Sequence, residues 1–280
     1  MEQPPQPSSE FEDYRIQPET IELLKKKRLS RLFYIQNRSF DDIFEGKDMI
    51  MNSQPGTGKT LGYVLPIIER LAQNEESPEV ERRPQVLIVV SQNEQKYEVL
   101  FQIRDLTHEK NSFIKSTFLN KIESLEHDIV IVTYPEIDSL MEKFGESIQS
   151  VKTVIFDDSD RLVANARFAN FEQVSRLTSF LQNRPQMLFV SNNLKDEFRS
   201  NFEEFLDPGF KFHNGVVRSS FVRQVEHSYV WSQGLFQDFN NIVKHIIVNS
   251  FNSKKVLIYM PNNSKLEALF VIFRNRTELL

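Results

Sequence analysis

The chain has 280 residues, enough for two domains, and its 40% hydrophobic and 11% aromatic content suits a globular core. Its 34 basic and 39 acidic residues leave a net charge of −5, which excludes a whole-chain electrostatic attraction to nucleic acid but not a local basic groove. The absence of cysteine excludes disulfides and thiolate metal sites, and five scattered histidines make a zinc site a poor prediction.

The N-terminal segment predicts neither a secretory signal nor a membrane anchor. Residues 1–10 are rich in Pro, Gln and Ser and contain no apolar segment, so we predict a disordered leader there. The longest apolar runs of the chain fall far short of the roughly 20 residues that a membrane-spanning helix needs. A helix is predicted over Pro18–Arg28, and the basic run at its end suits either a solvated helix terminus or a nuclear address.

A second helix and a first strand lead into a glycine loop. The helix is predicted from a cap at Ser30 to Phe44, and the strand that follows is Asp48–Asn52. An amphipathic run over Leu61–Leu71 predicts a helix directly after the loop. In such an arrangement of strand, loop and helix, backbone N–H groups and the positive end of the helix hold phosphate oxygens.

The residues of this loop are candidate ligands of a nucleoside triphosphate. They are Ser53, Gln54, Pro55, Gly56, Thr57, Gly58, Lys59 and Thr60. Lys59 is expected to contact the β- and γ-phosphates, and the Thr60 hydroxyl is expected to bind Mg²⁺. The general phosphate-loop pattern is not met in full, because Ser53 occupies its first glycine position. The alternative interpretation is an ordinary Pro-Gly turn that ends in Lys-Thr.

Strands and helices alternate after a polar linker over Asn74–Pro84. The predicted strands are Val86–Val90, Phe113–Leu119, Asp128–Val132, Val151–Phe156 and Gln186–Val190, and the predicted helices are Asn93–Leu106, Pro135–Lys143 and Phe168–Leu181. Because most of these strands are apolar on both faces, they predict a doubly wound α/β domain with a parallel sheet. Ligands bind such domains at the carboxyl ends of strands, where Lys59, Asp157 and Ser191 are expected to converge.

A new set of elements begins after Asp207. The predicted strands are Val225–Trp231 and Lys255–Met260, and the predicted helices are Phe236–Asn249 and Ser264–Arg274. We therefore predict a first domain over residues 11–208 and the beginning of a second α/β domain over residues 209–280. Its few elements cannot bury a complete core.

Two carboxylates, Asp157 and Asp158, follow one of the predicted strands. The first is a candidate ligand of Mg²⁺, and the second is a candidate base that orients or deprotonates the water attacking the γ-phosphate. A solvated turn or a helix cap is the alternative, since Ser159 and Asp160 both favour caps. Together with the glycine loop, the pair favours the nucleotide interpretation.

These motifs resemble those of the DEAD-box RNA helicases, most closely the nucleolar Gu type, from about Phe11 to the C-terminus. The phosphate loop of that family begins with a small residue, as it does here at Ser53. The run Asp157–Asp160 stands where the family has Asp-Glu-Ala-Asp, and the run Ser191–Asn193 stands where it has Ser-Ala-Thr, the motif that links hydrolysis to strand separation.

The resemblance implies a RecA-like fold with helices on both faces of the sheet, the start of a second RecA-like domain, and ATP and Mg²⁺ as cofactors. It places Phe11 at the position of the family's isolated upstream aromatic residue. It places Gln36 at the position of the glutamine that contacts the adenine edge. It further implies hydrolysis coupled to RNA remodelling and a nuclear or nucleolar location, with the cytoplasm as the alternative.

The departures from the family concentrate on the RNA side. The run Ser91–Lys96 aligns with Pro-Thr-Arg-Glu-Leu-Ala and keeps only the glutamate, and Glu136 replaces the arginine of Thr-Pro-Gly-Arg. A carboxylate in that place is expected to repel a phosphate. The carboxylate of Asp158 is one methylene shorter than the family's glutamate. The arginine fingers of the family's second domain are expected beyond Leu280.

Three functional hypotheses follow from these patterns. The first, which we adopt, is an ATP-dependent RNA-helicase-like enzyme with weak RNA contacts and weak hydrolysis by this chain alone. The second is a degenerate relative without useful hydrolysis that uses ATP binding to contact protein partners. The third is another phosphate-loop NTPase, such as a nucleotide kinase. A monomer is the default expectation for all three.

Overall fold

The structure is a computed structural model that describes residues 10–73, 82–107, 113–119, 124–164 and 171–215. The chain divides into two compact units, Met1–Arg218 and Ser219–Leu280, and every described residue lies in the first unit. The predicted elements of the second domain lie outside the described residues, as do nearly all of the predicted leader and most of the predicted linker. They stay predictions.

Seven strands form one parallel sheet at the centre of the first unit. They are β1 Met49–Asn52, β2 Val86–Val90, β3 Ser116–Phe118, β4 Ile129–Thr133, β5 Thr153–Phe156, β6 Gln186–Ser191 and β7 Lys211–Asn214. Their order across the sheet is β3-β4-β2-β5-β6-β1-β7, and each neighbouring pair is parallel. The five central strands are buried along their whole length, which explains why the sequence shows them as apolar runs.

Helices cover both faces of this sheet. They are α1 Pro18–Lys26, α2 Tyr34–Phe44, α3 Lys59–Gln73, α4 Asn93–Leu106, α5 Ile137–Ile148, α6 Asp160–Ala164, α7 Phe171–Phe180 and α8 Ser200–Glu203. Successive residues of a strand enter different cores, as Met49 packs with α1–α4 and Ile50 packs with α5, α7 and α8. The predicted doubly wound α/β fold is therefore confirmed. None of the helices in the described ranges is long and apolar enough to cross a membrane.

The short helices α6 and α8 were not predicted, and two further elements, α2 and β7, differ from the sequence-based expectation. Helix α2 begins at Tyr34 rather than after Ser30, because Phe33 is the N-cap and its N–H donates to the Gln36 side chain at 2.8 Å. Strand β7 was not predicted at all. It is an edge strand that pairs with β1, and its exposed and half-buried residues form no apolar run. It extends the first sheet beyond the predicted domain boundary at residue 208.

Candidate functional site

The glycine loop leaves β1 at the carboxyl edge of the sheet and enters α3. Gly56 and Gly58 each have a φ of +78°, a backbone conformation that side chains disfavour. Thr57 closes the turn between them, because its Oγ1 donates to the Gln54 carbonyl at 2.8 Å. The loop is thus shaped by its glycines and by one hydroxyl, in the way that a phosphate cradle requires.

Lys59 is the first residue of α3 and is folded back onto the loop. Its Nζ donates to the carbonyls of Ser53 and Gln54 at 2.7 and 2.9 Å, and the residue is only 7% exposed. Burial lowers the pKa of Lys59, while the carboxylates of Asp157 and Asp158 act in the opposite direction. The ammonium group is held by neutral acceptors that an anionic ligand can replace.

Asp157 follows β5 and is buried beside α3. Its Oδ2 accepts a hydrogen bond from the Tyr63 hydroxyl at 2.9 Å, and its Oδ1 accepts one from the Asp158 N–H at 2.9 Å. Burial and the neighbouring Asp158 raise the pKa of Asp157 to about 6. Burial and Asp157 in turn raise the pKa of Tyr63 well above its usual value. A cation beside Asp157 would favour its charged form.

Asp158 lies next in the chain but has different surroundings. Its φ is +52°, in the left-handed region that few residues other than glycine adopt. Its Oδ1 accepts from Asn192 Nδ2 at 2.6 Å, and its Oδ2 accepts from Gln95 Nε2 and, at 3.2 Å, from Ser91 Oγ. The single hydroxyl proton of Ser91 is shared with Gln95 Oε1, which lies closer at 2.6 Å, so two amide donors, Asn192 and Gln95, hold the carboxylate from which a general base would have to act.

The two motifs that follow β5 and β6 are joined directly. Ser191 Oγ and the Asn192 N–H both donate to Asp160 Oδ1 at 3.2 Å. Ser159 donates through both its N–H and its hydroxyl to the Val190 carbonyl, at 2.8 and 3.0 Å. Because β5 and β6 are neighbours in the sheet, the predicted convergence of Asp157 and Ser191 follows from the topology.

Gln36 and Phe11, which the resemblance assigns to nucleotide binding, have unequal positions. Gln36 connects α2 to the loop, since its Nε2 donates to the Gly58 carbonyl at 3.0 Å and its Oε1 accepts from the Phe33 N–H. Phe11 is 1% exposed and belongs to the core beside α1–α4. Its ring presents no free face, so a contact between Phe11 and a nucleotide finds no support in the structure.

The charge at Glu136 is balanced within the protein. Lys96 is 2% exposed, and its Nζ lies 2.8 and 3.0 Å from the two carboxylate oxygens of Glu136. Burial acts to raise the pKa of Glu136, but the hydrogen bonds from Lys96 and the Thr133 N–H outweigh it and lower the pKa. The expectation that Glu136 repels a phosphate is therefore wrong, because the Glu136 carboxylate and the Lys96 ammonium group neutralise each other.

A cavity of about 650 Å³ lies between the glycine loop, the segment from α1 to α2, and α4. The predicted site residues that line it are Gln36, Pro55, Gly56, Gly58, Lys59, Thr60, Asp157 and Asp158, whereas Phe11, Ser53, Gln54 and Thr57 do not. The sequence interpretation missed Tyr63 and Gln95. Their spacing offers a weak signal, since Tyr63 lies one helical turn after Thr60 and Gln95 lies in the first turn of α4.

Known proteins are similar in sequence to the part of the chain that forms this site. Residues 33–200 match the model of the DEAD/DEAH box helicase family, which is more than half of the 280 residues. The chain belongs to this family. The helicase resemblance of the sequence motifs is thereby confirmed.

Individual relatives share less than a third of their residues with this chain over the matched regions. The chain is 29% identical over 158 residues to the mouse ATP-dependent RNA helicase DDX50, covering 55% of this chain and 22% of that protein. It is 23% identical over 209 residues to nucleolar RNA helicase 2-A of Xenopus laevis, covering 72% of this chain and 28% of that protein. The chain thus spans only about a quarter of the length of these curated helicases.

A solved structure shares the fold. A variant of Dbp5 from S. cerevisiae, bound to RNA and ADP BeF3, superposes with a TM-score of 0.60 at 20% sequence identity. The match covers 71% of this chain and 50% of that chain. The RecA-like α/β fold predicted for the first domain agrees with this likeness.

Proposed function

We propose that this DEAD-box family chain binds Mg-ATP on its glycine loop as a helicase-like protein, and that hydrolysis by this chain alone is weak. The observation that supports the proposal most strongly is that the loop, Lys59, Thr60 and Asp157 line one cavity at the carboxyl edge of the sheet. The mouse relative is described as an ATP-dependent RNA helicase, which agrees with this assignment.

In this proposal the backbone of the loop and Lys59 hold the phosphates. On binding, the Lys59 ammonium group exchanges the carbonyls of Ser53 and Gln54 for β- and γ-phosphate oxygens. Thr60 and Asp157 would hold Mg²⁺ through their side-chain oxygens, and the ion would supply charge neutralisation for the phosphates. The raised pKa of Asp157 fits a buried carboxylate that a cation would stabilise in its charged form.

Weak hydrolysis follows from the surroundings of Asp158. A general base must accept a hydrogen bond from the attacking water, at about 2.6–3.2 Å. Here the oxygens of Asp158 already accept hydrogen bonds from the side-chain amides of Asn192 and Gln95. A water therefore competes with two amide donors that belong to the protein.

The same observations favour a second candidate function, in which ATP binding serves protein contacts rather than RNA remodelling. Lys96 and Glu136 occupy positions where the family contacts RNA, and they pair with each other instead. RNA contacts of this chain are therefore proposed to be weak. A nuclear or nucleolar location is proposed from the nucleolar relative, with the cytoplasm as the alternative.

Titration of the purified chain with ATP and Mg²⁺ tests the proposal. We expect saturable ATP binding that Lys59→Ala weakens by at least roughly tenfold, since a charge-assisted contact to phosphate is lost. Release of phosphate should be slow with or without added RNA. Absence of ATP binding by the wild-type chain would overturn the proposal. Strong stimulation of phosphate release by RNA would eliminate the second candidate, and equal affinity for GTP and ATP would favour another class of phosphate-loop NTPase.

A further inference from the structure

The cavity beside the glycine loop has an apolar end. Its walls there include Leu24, Leu29, Leu61 and Leu106. Leu24 and Leu106 are buried members of the core, and Leu29 and Leu61 pack against that core. These leucines therefore supply apolar contact area for a ligand, while Lys27, Glu98 and Asp105 also line the cavity and Lys27 pairs with Asp105.

One aromatic ring stands out at this end. Among the described residues, four large hydrophobic side chains are exposed, namely Phe33, Tyr97, Phe101 and Phe180, and of these Phe33 lines the cavity. Phe33 is 50% exposed. An exposed aromatic face inside a concave, mostly apolar site is a favourable place for a planar ligand group.

The position of Phe33 is fixed relative to the phosphate cradle. Its backbone is the N-cap of α2, and its N–H donates to Gln36, which in turn donates to the Gly58 carbonyl. A side-chain carbon placed on Gly58 would lie 3.5 Å from the Phe33 ring. The ring is thus held next to the loop by hydrogen bonds that do not involve the ring itself.

We propose that the base of the bound nucleotide stacks on Phe33 at the apolar end of the cavity, rather than on Phe11. The inference rests on the proposed function, because it takes the phosphates to lie on the glycine loop. Phe11 has no exposed face, whereas Phe33 has one that opens into the cavity. The ligand class is a nucleotide with a heteroaromatic base, and Gln102 of α4 also lines the cavity with a polar side chain.

The test compares ATP with inorganic tripolyphosphate, which has the phosphates but no base. We expect Phe33→Ala to weaken ATP binding by roughly fivefold to a hundredfold, the range seen when an aromatic partner of a base is removed. Binding of tripolyphosphate should be unchanged. Phe33→Tyr should keep the ATP affinity of the wild-type chain, because the ring remains. Phe101→Ala is the matched control, since Phe101 is 59% exposed but lies outside the cavity wall.

The outcomes separate this inference from the proposed function. If the wild-type chain binds neither ligand, both fall. If ATP and tripolyphosphate bind equally well, or if Phe33→Ala keeps its ATP affinity, base stacking is overturned while phosphate binding stands. Phe33→Leu covers the case in which the alanine variant fails to fold, because it keeps apolar bulk without a ring. A wild-type ATP affinity for folded Phe33→Leu would likewise overturn the inference.

Discussion

The glycine loop after β1 and the segment after β2 lie at the same edge of one sheet, but their polar side chains have different partners. In the glycine loop, Lys59 donates to two neutral backbone carbonyls and lines the cavity together with Thr60. In the segment after β2, Gln95 donates to Asp158 and Lys96 pairs with Glu136. A shared fold therefore preserves where the loops lie, whereas the partners of each side chain decide whether its polar groups are available to a ligand.

The largest effect is expected from breaking the pair between Lys96 and Glu136. Lys96→Met should lower the free energy of unfolding by roughly 3 kcal/mol, because it leaves a largely buried carboxylate without its cation. Urea unfolding at pH 7 measures the change. The double variant Lys96→Met with Glu136→Leu should recover most of the loss, since it removes both charges. An unchanged stability of Lys96→Met would contradict a structural role for the pair.

A smaller effect is expected from Gln95, which donates to the proposed base. Gln95→Leu leaves one oxygen of Asp158 with fewer protein donors, so a water competes better for it. Phosphate release in a single turnover should rise by about tenfold, well within the range of general-base catalysis.

The matched control for this prediction is Gln92→Leu, which makes the same change at an exposed residue at the start of α4. A rise in both variants would point to a general effect on the helix. No rise in Gln95→Leu would mean that the hydrogen bonds of Asp158 do not limit hydrolysis.

The smallest effect is expected from a change at Glu69. This residue lies near the C-terminal end of α3, whereas Lys59 begins the helix. Glu69 is fully buried, and its Oε1 has no hydrogen-bond partner in the described part of the chain. Burial raises the pKa of Glu69, so the folded state binds its proton more tightly than the unfolded state does. The ionised carboxylate therefore lowers stability at neutral pH, and stability is regained as the pH falls through the folded pKa toward the unfolded one.

Glu69→Gln imitates the protonated form and should stabilise the chain at pH 7 by about 1 kcal/mol. The gain should shrink on acidification and vanish below the unfolded pKa of about 4.5, because the wild-type residue is then neutral in both states. Thermal unfolding across this pH range measures it, with the exposed Glu22→Gln as the control. A gain that is independent of pH would contradict the assignment to this carboxylate.

Much of the fold was predictable from local patterns. Five central strands appear as apolar runs because parallel strands buried on both faces exclude polar side chains. The glycine loop is visible because a left-handed turn at Gly56 and Gly58 favours residues without a side chain. The edge strand β7 was missed for the converse reason, since its half-exposed residues have no such restriction.

The sequence by itself determined the α/β fold, the loop and the carboxylates at the end of β5. Only the tertiary structure decided how those groups are held. The pairs Tyr63 with Asp157, Gln95 with Asp158 and Lys96 with Glu136 join residues 94, 63 and 40 positions apart. A local pattern reports burial and backbone conformation along one segment, whereas these hydrogen bonds depend on how β2, β4 and β5 lie side by side in the folded sheet.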